Sequence, residues 1–275
     1  MNNSYQFFHL ETYADKPLKN TLRPSAEAVA RECQRVEKSF PHILNPQKPL
    51  LLYGVEPLEA LSEVRELIKT CKDPLGRKTR SDAQIIAFGV TSIKVKATQE
   101  NWNSPEVQKW SKDSIAFFKE RFGDSFISCE CHLDEEYIHL HQILKPKIND
   151  DGTLNLESFH PGLAAQRAVK TKTKSAKDHA YKEAMRNLQD EYFQAVGIKN
   201  GQLRYGPRRR RLTRKEWYAQ KRYASLISKI FNEQSSLVST LTKKLTKAKS
   251  VITKLIISKL KPQNGAANSL EEPKL

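Results

Sequence analysis

The stretch FISCECHLDEEYIHLHQIL, residues 126–144, sets the fold class and the chemistry together. Two runs, Phe126–Leu133 and Ile138–Leu144, alternate with a period of two, and Asp134-Glu135-Glu136-Tyr137 between them turns the chain. An antiparallel hairpin is expected. His139 and His141 are two residues apart, so their imidazoles share one face of their strand. His132 closes the preceding strand, and the returning chain brings it beside them. Three imidazoles from paired strands form a ligand set that leaves about half of a metal's coordination sphere open. A catalytic Lewis acid needs such an opening. Glu135, in the turn, is placed to orient a ligand histidine or to move a proton. Cys129 and Cys131 alternate with His132 and belong to the opposite, core-facing side.

Outward from the hairpin, helices and strands are mixed. Before it, Ser104 caps a helix whose first turn holds Pro105 and whose apolar stripe Val107, Trp110, Ser114, Phe117, Phe118, Phe122 ends at Gly123. Ala83–Val95 reads as a strand, and Leu50–Tyr53 is a short apolar run after a proline-punctuated loop. Helices are expected over Ser25–Phe40, Pro57–Cys71 and Ser175–Val196. The last of them stops at Gly197. Leu212–Leu260 is also helical in pattern, with Leu226, Ile230, Leu237, Leu241, Leu245, Ile252 and Leu255 on one stripe. The class is α+β. The chain divides into a body, 1–200, a basic helical tail, 201–261, and a disordered end, 262–275.

The charge is as informative as the pattern. The net charge is +16, and residues 201–261 hold seventeen Lys and Arg against only Glu216 and Glu233. A nearly neutral body with a strongly basic tail points to a polyanionic partner. Arg208, Arg209, Arg210, Arg211, Arg214 and Lys215, interleaved with Tyr205, Trp217 and Tyr218, form the cation–aromatic mixture that grips nucleic acid. The stripe beyond them fits a homodimer, its heptads being imperfect, or a basic amphipathic helix on an anionic membrane. No apolar run is long enough to span a bilayer and no secretion leader is visible, so no transmembrane segment is expected. Four cysteines without a C-x-x-C pair suit a reducing, cytoplasmic setting.

The motif His132-Leu-Asp-Glu-x-x-x-His139-x-His141, preceded by an aromatic helix and by Phe122-Gly123-Asp124, resembles the plasmid mobilisation (Mob/Pre-type, MobV class) relaxases of the HUH endonuclease superfamily. Weaker matches are Leu44-Asn45-Pro46 followed by Leu52-Tyr53, the Arg80-Ser81-Asp82-Ala83 entry to a strand, and Leu188-Gln189-Asp190 with Tyr192. The resemblance implies a five-stranded antiparallel sheet flanked by helices. It also implies binding of an origin-of-transfer DNA hairpin or single strand, cutting of one strand, and a role in plasmid mobilisation, conjugation or recombination. It assigns His132, His139 and His141 to Mn²⁺ or Mg²⁺, Glu135 to catalysis and Arg80 to DNA contact. Imidazole ligands by themselves suit Zn²⁺ or Mn²⁺ better than Mg²⁺.

One departure stands out. The family places a nucleophilic histidine in a helix before the Asn-Pro pair, and the corresponding stretch, Ala30 to Arg35, holds none. The substitutes are Tyr53, His42 and His9. The sequence therefore carries two readings: a relaxase that nicks and joins DNA, or a DNA-binding protein that keeps the relaxase fold without its nucleophile. A three-histidine hydrolase or oxygenase acting on small molecules would leave the tail unexplained.

Overall fold

The computed structural model describes residues 5–16, 23–40, 43, 45–171, 173–206 and 214–260. The chain divides into two compact units, 1–209 and 210–275. The first is built on a five-stranded antiparallel sheet of β1 (Phe7–Ala14), β2 (Leu50–Gly54), β3 (Gln84–Lys96), β4 (Phe126–His132) and β5 (Tyr137–Leu144), in the order β1-β3-β5-β4-β2. The hairpin read from the sequence is β4–β5, and it lies at the centre of the sheet.

Strand alternation divides the side chains between two cores. On one face α4 (Pro105–Phe122) and α6 (Lys174–Tyr192) cover Phe8, Leu10, Phe126, Cys129, Cys131, Leu140 and Leu144. Trp110, Phe118 and Tyr192 are fully buried there, and the Tyr192 hydroxyl meets Ser114 Oγ at 3.0 Å. On the other face α1 (Ala26–Cys33) and α2 (Pro57–Lys69) cover Ile86, Phe88 and Ile143 with Ala26, Ala30, Leu61 and Val64. They close only that end of the sheet. The two rows nearer the β4–β5 turn, which carry the histidines, stay outside this core.

The α4 boundaries match the expectation: Ser104 Oγ accepts the Val107 amide, Pro105 is the first helical residue and Gly123 terminates it. The expected helix over Ser25–Phe40 instead stops at Cys33. Its chain reverses through Arg35 (φ 55°) and Lys38 (φ 70°), left-handed conformations that no glycine announces. β1 and the short α5 (Pro161–Ala168) are additional elements. The α3 helix (Gln99–Trp102) and the pair β6 (Lys147–Ile148) and β7 (Leu154–Asn155) are minor.

The body also runs past the expected boundary at 200. Gln202 is buried, and the Leu203 carbonyl accepts the Gln6 amide at 2.9 Å. The described residues of the second unit form one helix, α7 (Arg214–Leu260), on which Leu226, Ile230, Leu237, Leu241, Leu245, Ile252 and Leu255 are exposed. Arg208, Arg209, Arg210, Arg211 and the 262–275 end expected to be disordered lie outside the described residues. No helix among the described residues is long and apolar enough to cross a membrane.

Candidate metal centre

His139 and His141 lie on β5, and His132 pairs with His139 across the β4–β5 ladder. Their ring centroids are 4.4 Å (His132–His141), 5.1 Å (His132–His139) and 5.1 Å (His139–His141) apart. One nitrogen from each lies within 4.8 Å of the other two, a separation one cation can span. Cys129 and Cys131 face the opposite core, as their parity requires, and burial pushes the Cys131 thiol up to about 12.

The protonation states suit coordination. Burial holds all three imidazoles below the ordinary histidine pKa; the neighbouring imidazoles and Arg35 add to it at His132 and His141, whereas the Glu135 charge opposes it at His139, so all three are neutral near pH 7. His139 Nδ1 is 2.9 Å from the Tyr137 carbonyl, which can only accept. The proton therefore sits on Nδ1, and Nε2 is left as the ligand atom. Cys33 Sγ, at the end of α1, lies 3.4 Å from His141 Nδ1 and holds the orientation of that ring. Neither nitrogen of His132 has a hydrogen-bond partner, although the residue is 1% exposed. Such orphaned buried polar atoms cost about 1–3 kcal/mol each, and a coordinated cation would satisfy one of them. The residues present fit a divalent metal.

Two acidic groups flank the cluster. Glu135 Oε1 is 3.7 Å from His139 Nε2 and 3.2 Å from Arg35 Nη2. Arg35 is the organiser of this turn. It donates from Nε and Nη2 to the two oxygens of Asp134, each at 2.8 Å, and from Nη1 to the Glu32 carbonyl at 2.9 Å. Asp134 also accepts the Gln47 amide at 3.2 Å. Burial alone would raise the Asp134 pKa, but the bonds and charge of Arg35 outweigh it and hold the group below the usual range. The second acid, Glu130, shares the face of His132 and pairs with His141 across the ladder. It is 3% exposed, its Oε2 has no hydrogen-bond partner, and it lies 3.9 Å from His132 Nε2. Burial, then the charge of Glu56, pushes its carboxyl up to about 8.

Sequence reasoning missed Cys33, Arg35 and Glu130 as parts of the site. The parity of β4 announces Glu130, two residues before His132. The other two follow only from packing of α1 on the hairpin.

The residues nominated for attack are scattered. Tyr53 is not brought to the histidines: it pairs with Cys129, stacks on Phe126 at 4.8 Å and lies under Lys119 of α4 at 4.1 Å, on the other face. The reason is a bulge at Leu52. Leu51 stands opposite Glu130, and the extra residue turns Tyr53 away from that face. His42 lies outside the described residues. His9 is on the histidine face, in the row His141–Val90–His9, two strands away and 3.5 Å from Glu11. Arg80 is an exposed residue engaged by Asp82, with contacts at 2.8 and 2.7 Å. Arg214 and Lys215 open α7.

The family model described as plasmid recombination enzyme, Mob_Pre, matches residues 59–225. The span begins after α1 and β2, so the helix bearing Cys33 lies outside it. Among solved structures, the Mn-bound MobM relaxase domain (MOBV; Mob_Pre) with plasmid pMV158 oriT DNA, at pH 6.8, is similar with a TM-score of 0.51. Its identity is 13%, over 79% of this chain and 99% of that one. The Mn-bound form at pH 5.5 gives 0.50 at 15% identity, over 79% and 100%. At these identities the likeness shows the fold. No curated protein matches the chain.

Proposed function

The chain belongs to the Mob_Pre family of plasmid recombination enzymes, and from that premise we propose that it is a metal-dependent relaxase, nicking and rejoining one DNA strand at an oriT-like site. The observation that carries the reading is the convergence of three neutral imidazoles, His132 and His139 buried and His141 half-buried, on the centre of the sheet. It is supported by relatives solved with Mn and with oriT DNA.

His132, His139 and His141 would hold Mn²⁺ or Mg²⁺. When bound, the cation supplies Lewis acidity at the scissile phosphate. The chain's own groups do the rest. The Tyr137 carbonyl and Cys33 thiol fix two imidazoles in orientation. Glu135, held by Arg35 beside His139, is the carboxylate placed to accept or return a proton at the reacting oxygens. The basic segment from Arg208 to Lys215 adds salt-sensitive affinity for the backbone. We place the protein in the cytoplasm, where Cys33, Cys71, Cys129 and Cys131 persist as the free, buried thiols found here. The exposed stripe of α7 pairs with a second copy, burying Leu237, Leu241 and Leu245.

One observation favours the second reading, a DNA-binding protein that does not cut. The residue α1 presents to the cluster is Cys33, whose thiol burial holds well above its ordinary pKa, and not a histidine. A single experiment separates the two. Supercoiled plasmid carrying the protein's own flanking DNA is incubated with and without Mn²⁺, beside a His139→Ala/His141→Ala variant, and resolved after detergent and protease. Nicked circles that require metal and both histidines, with a covalent peptide–DNA adduct, are expected. Tight binding of a proven site with neither nick nor adduct would establish the non-cutting reading.

A further inference from the structure

Of the three carboxyl groups around the histidines, two are held by Arg35 and the third is not. Asp134 takes two bonds of 2.8 Å from the guanidinium, and Glu135 takes one of 3.2 Å. Glu130 has no such partner. It is 3% exposed, its Oε2 accepts no hydrogen bond, and among the described residues no lysine or arginine pairs with it. The nearby Lys48 turns to Glu56 instead, at 3.8 Å, with its side chain in water. The group that Glu130 does face is His132, whose Nε2 lies 3.9 Å from Oε2.

A carboxylate this deeply buried is stable only when it is paired or coordinates a metal. Neutral imidazoles supply no pairing charge, but the three here are spaced for one cation. Ligand bonds to such an ion are about 2.0–2.2 Å long, so two donors on the same ion lie at most about 4.4 Å apart. The 3.9 Å between Glu130 Oε2 and His132 Nε2 is inside that limit. Glu135 is equally near, 3.7 Å from His139 Nε2, but Arg35 holds it. The strand parity agrees. Glu130 precedes His132 by two residues on β4 and stands opposite His141 across the ladder, so it belongs to the face of the cluster. A cleft of about 430 Å³ bordered by Gln34, Leu50, Leu51 and Glu56 lies beside the carboxyl and leaves the side chain room to turn toward the imidazoles.

We propose that Glu130 is a fourth protein ligand of the metal centre, its Oε2 joining the three imidazoles on the cation. The assignment rests on the metal-dependent relaxase reading and deepens it. It also resolves a mismatch of ligand chemistry. Three imidazoles by themselves suit Zn²⁺, whereas a carboxylate oxygen adds a hard, charged donor that favours Mn²⁺ and Mg²⁺. Four protein ligands leave two positions of an octahedral ion open, enough for one phosphate oxygen and one water.

The full, metal-free chain would be titrated with Mn²⁺, the unbound ion read by electron paramagnetic resonance, and Zn²⁺ then added in competition. Glu130→Gln keeps the shape and removes the anionic donor. It should bind Mn²⁺ at least roughly 10- to 100-fold more weakly, the loss that even a supporting residue of a metal site produces. Zn²⁺ should lose less, so the Mn²⁺-to-Zn²⁺ affinity ratio falls. A residue that merely supports the fold would weaken both ions together and leave the ratio unchanged. Infrared difference spectra of the unaltered chain, Mn²⁺-loaded minus metal-free, need no variant to fold. A carboxylate band shifted by coordination is expected, kept in Glu135→Gln and absent in Glu130→Gln. A parent that binds Mn²⁺ without a shifted band, or a Glu130→Gln variant that keeps the parent's ratio, overturns the fourth ligand and leaves the relaxase reading intact. A parent that binds no Mn²⁺ overturns both.

Discussion

Replacing Arg35 by alanine removes a buried guanidinium and strands a buried carboxylate. The Arg35 and Asp134 side chains are 4% and 1% exposed and meet through two parallel bonds of 2.8 Å. Removing one partner of such a pair costs about 3–5 kcal/mol, most of it from the charge left behind. Asp134 keeps the Gln47 amide and can take up a proton, so the lower end, about 3 kcal/mol, is expected. For a body of this size that is a fall in Tm of roughly 6–12 °C. Two companion variants make the argument specific. Arg35→Met/Asp134→Asn removes both charges and should lose only about 1–2 kcal/mol, because the one carboxylate that loses its guanidinium, Glu135, is partly exposed to water. Arg35→Gly relieves the left-handed backbone at φ 55° and should be about 1 kcal/mol more stable than Arg35→Ala. Urea unfolding of the metal-free chain, followed by the fluorescence of Trp102 and Trp110, measures all three. An alanine variant within 1 kcal/mol of the parent, or a double variant no better than the single, would refute the claim that this pair seats α1 on the metal hairpin.

Other outcomes follow from the same geometry. Cys33→Ala should weaken Mn²⁺ binding about 10- to 100-fold by freeing the His141 ring, read as unbound Mn²⁺ by electron paramagnetic resonance; unchanged affinity would deny the thiol that role. His160 caps α5 through its Nδ1, and burial holds its pKa at about 4, below the ~6.5 of an unfolded chain. The unfolded state therefore binds the proton first, and stability present above pH 6.5 is lost as the pH falls toward 4, by about 3 kcal/mol in total. His160→Asn keeps a cap without titrating and should flatten that acid limb in urea melts. Tyr53→Phe should leave nicking and adduct formation intact, since the ring lies behind the sheet; an abolished adduct would mean that β2 rearranges on DNA. Leu241→Glu should convert a dimer to a monomer in sedimentation analysis, and a parent chain already monomeric would remove the α7 pairing.

What the sequence disclosed was what a two-residue or a 3.6-residue period controls. The facing of His132, His139 and His141, and the opposite facing of Cys129 and Cys131, follow from strand parity alone. The ends of α4 were visible because Ser104, Pro105 and Gly123 act within a turn of themselves. β1 was harder to see, although Phe8, Leu10 and Thr12 do alternate inward. Its opposite face carries two aromatics, exposed Phe7 and Tyr13, which the second core buries, and these mask the amphipathic signal.

The misreadings share one cause: each depended on a contact made far along the chain. The helix read as continuing to Phe40 stops at Cys33, and the turn beyond it is held by Arg35, which bonds a carboxylate 99 residues away. No local glycine or proline marks that stop. Tyr53 is nominated by its place in the resemblance, and one inserted residue, Leu52, turns it off the face that Leu51 shares with Glu130. A bulge is a property of the pairing between two strands, so β2 alone cannot display it. The same dependence makes the site legible only in three dimensions: α1 supplies Cys33 to one imidazole, and the turn after it supplies Arg35 to the turn between the strands. A helix that in sequence merely lacked an expected histidine is, in the folded chain, the element that orients the cluster.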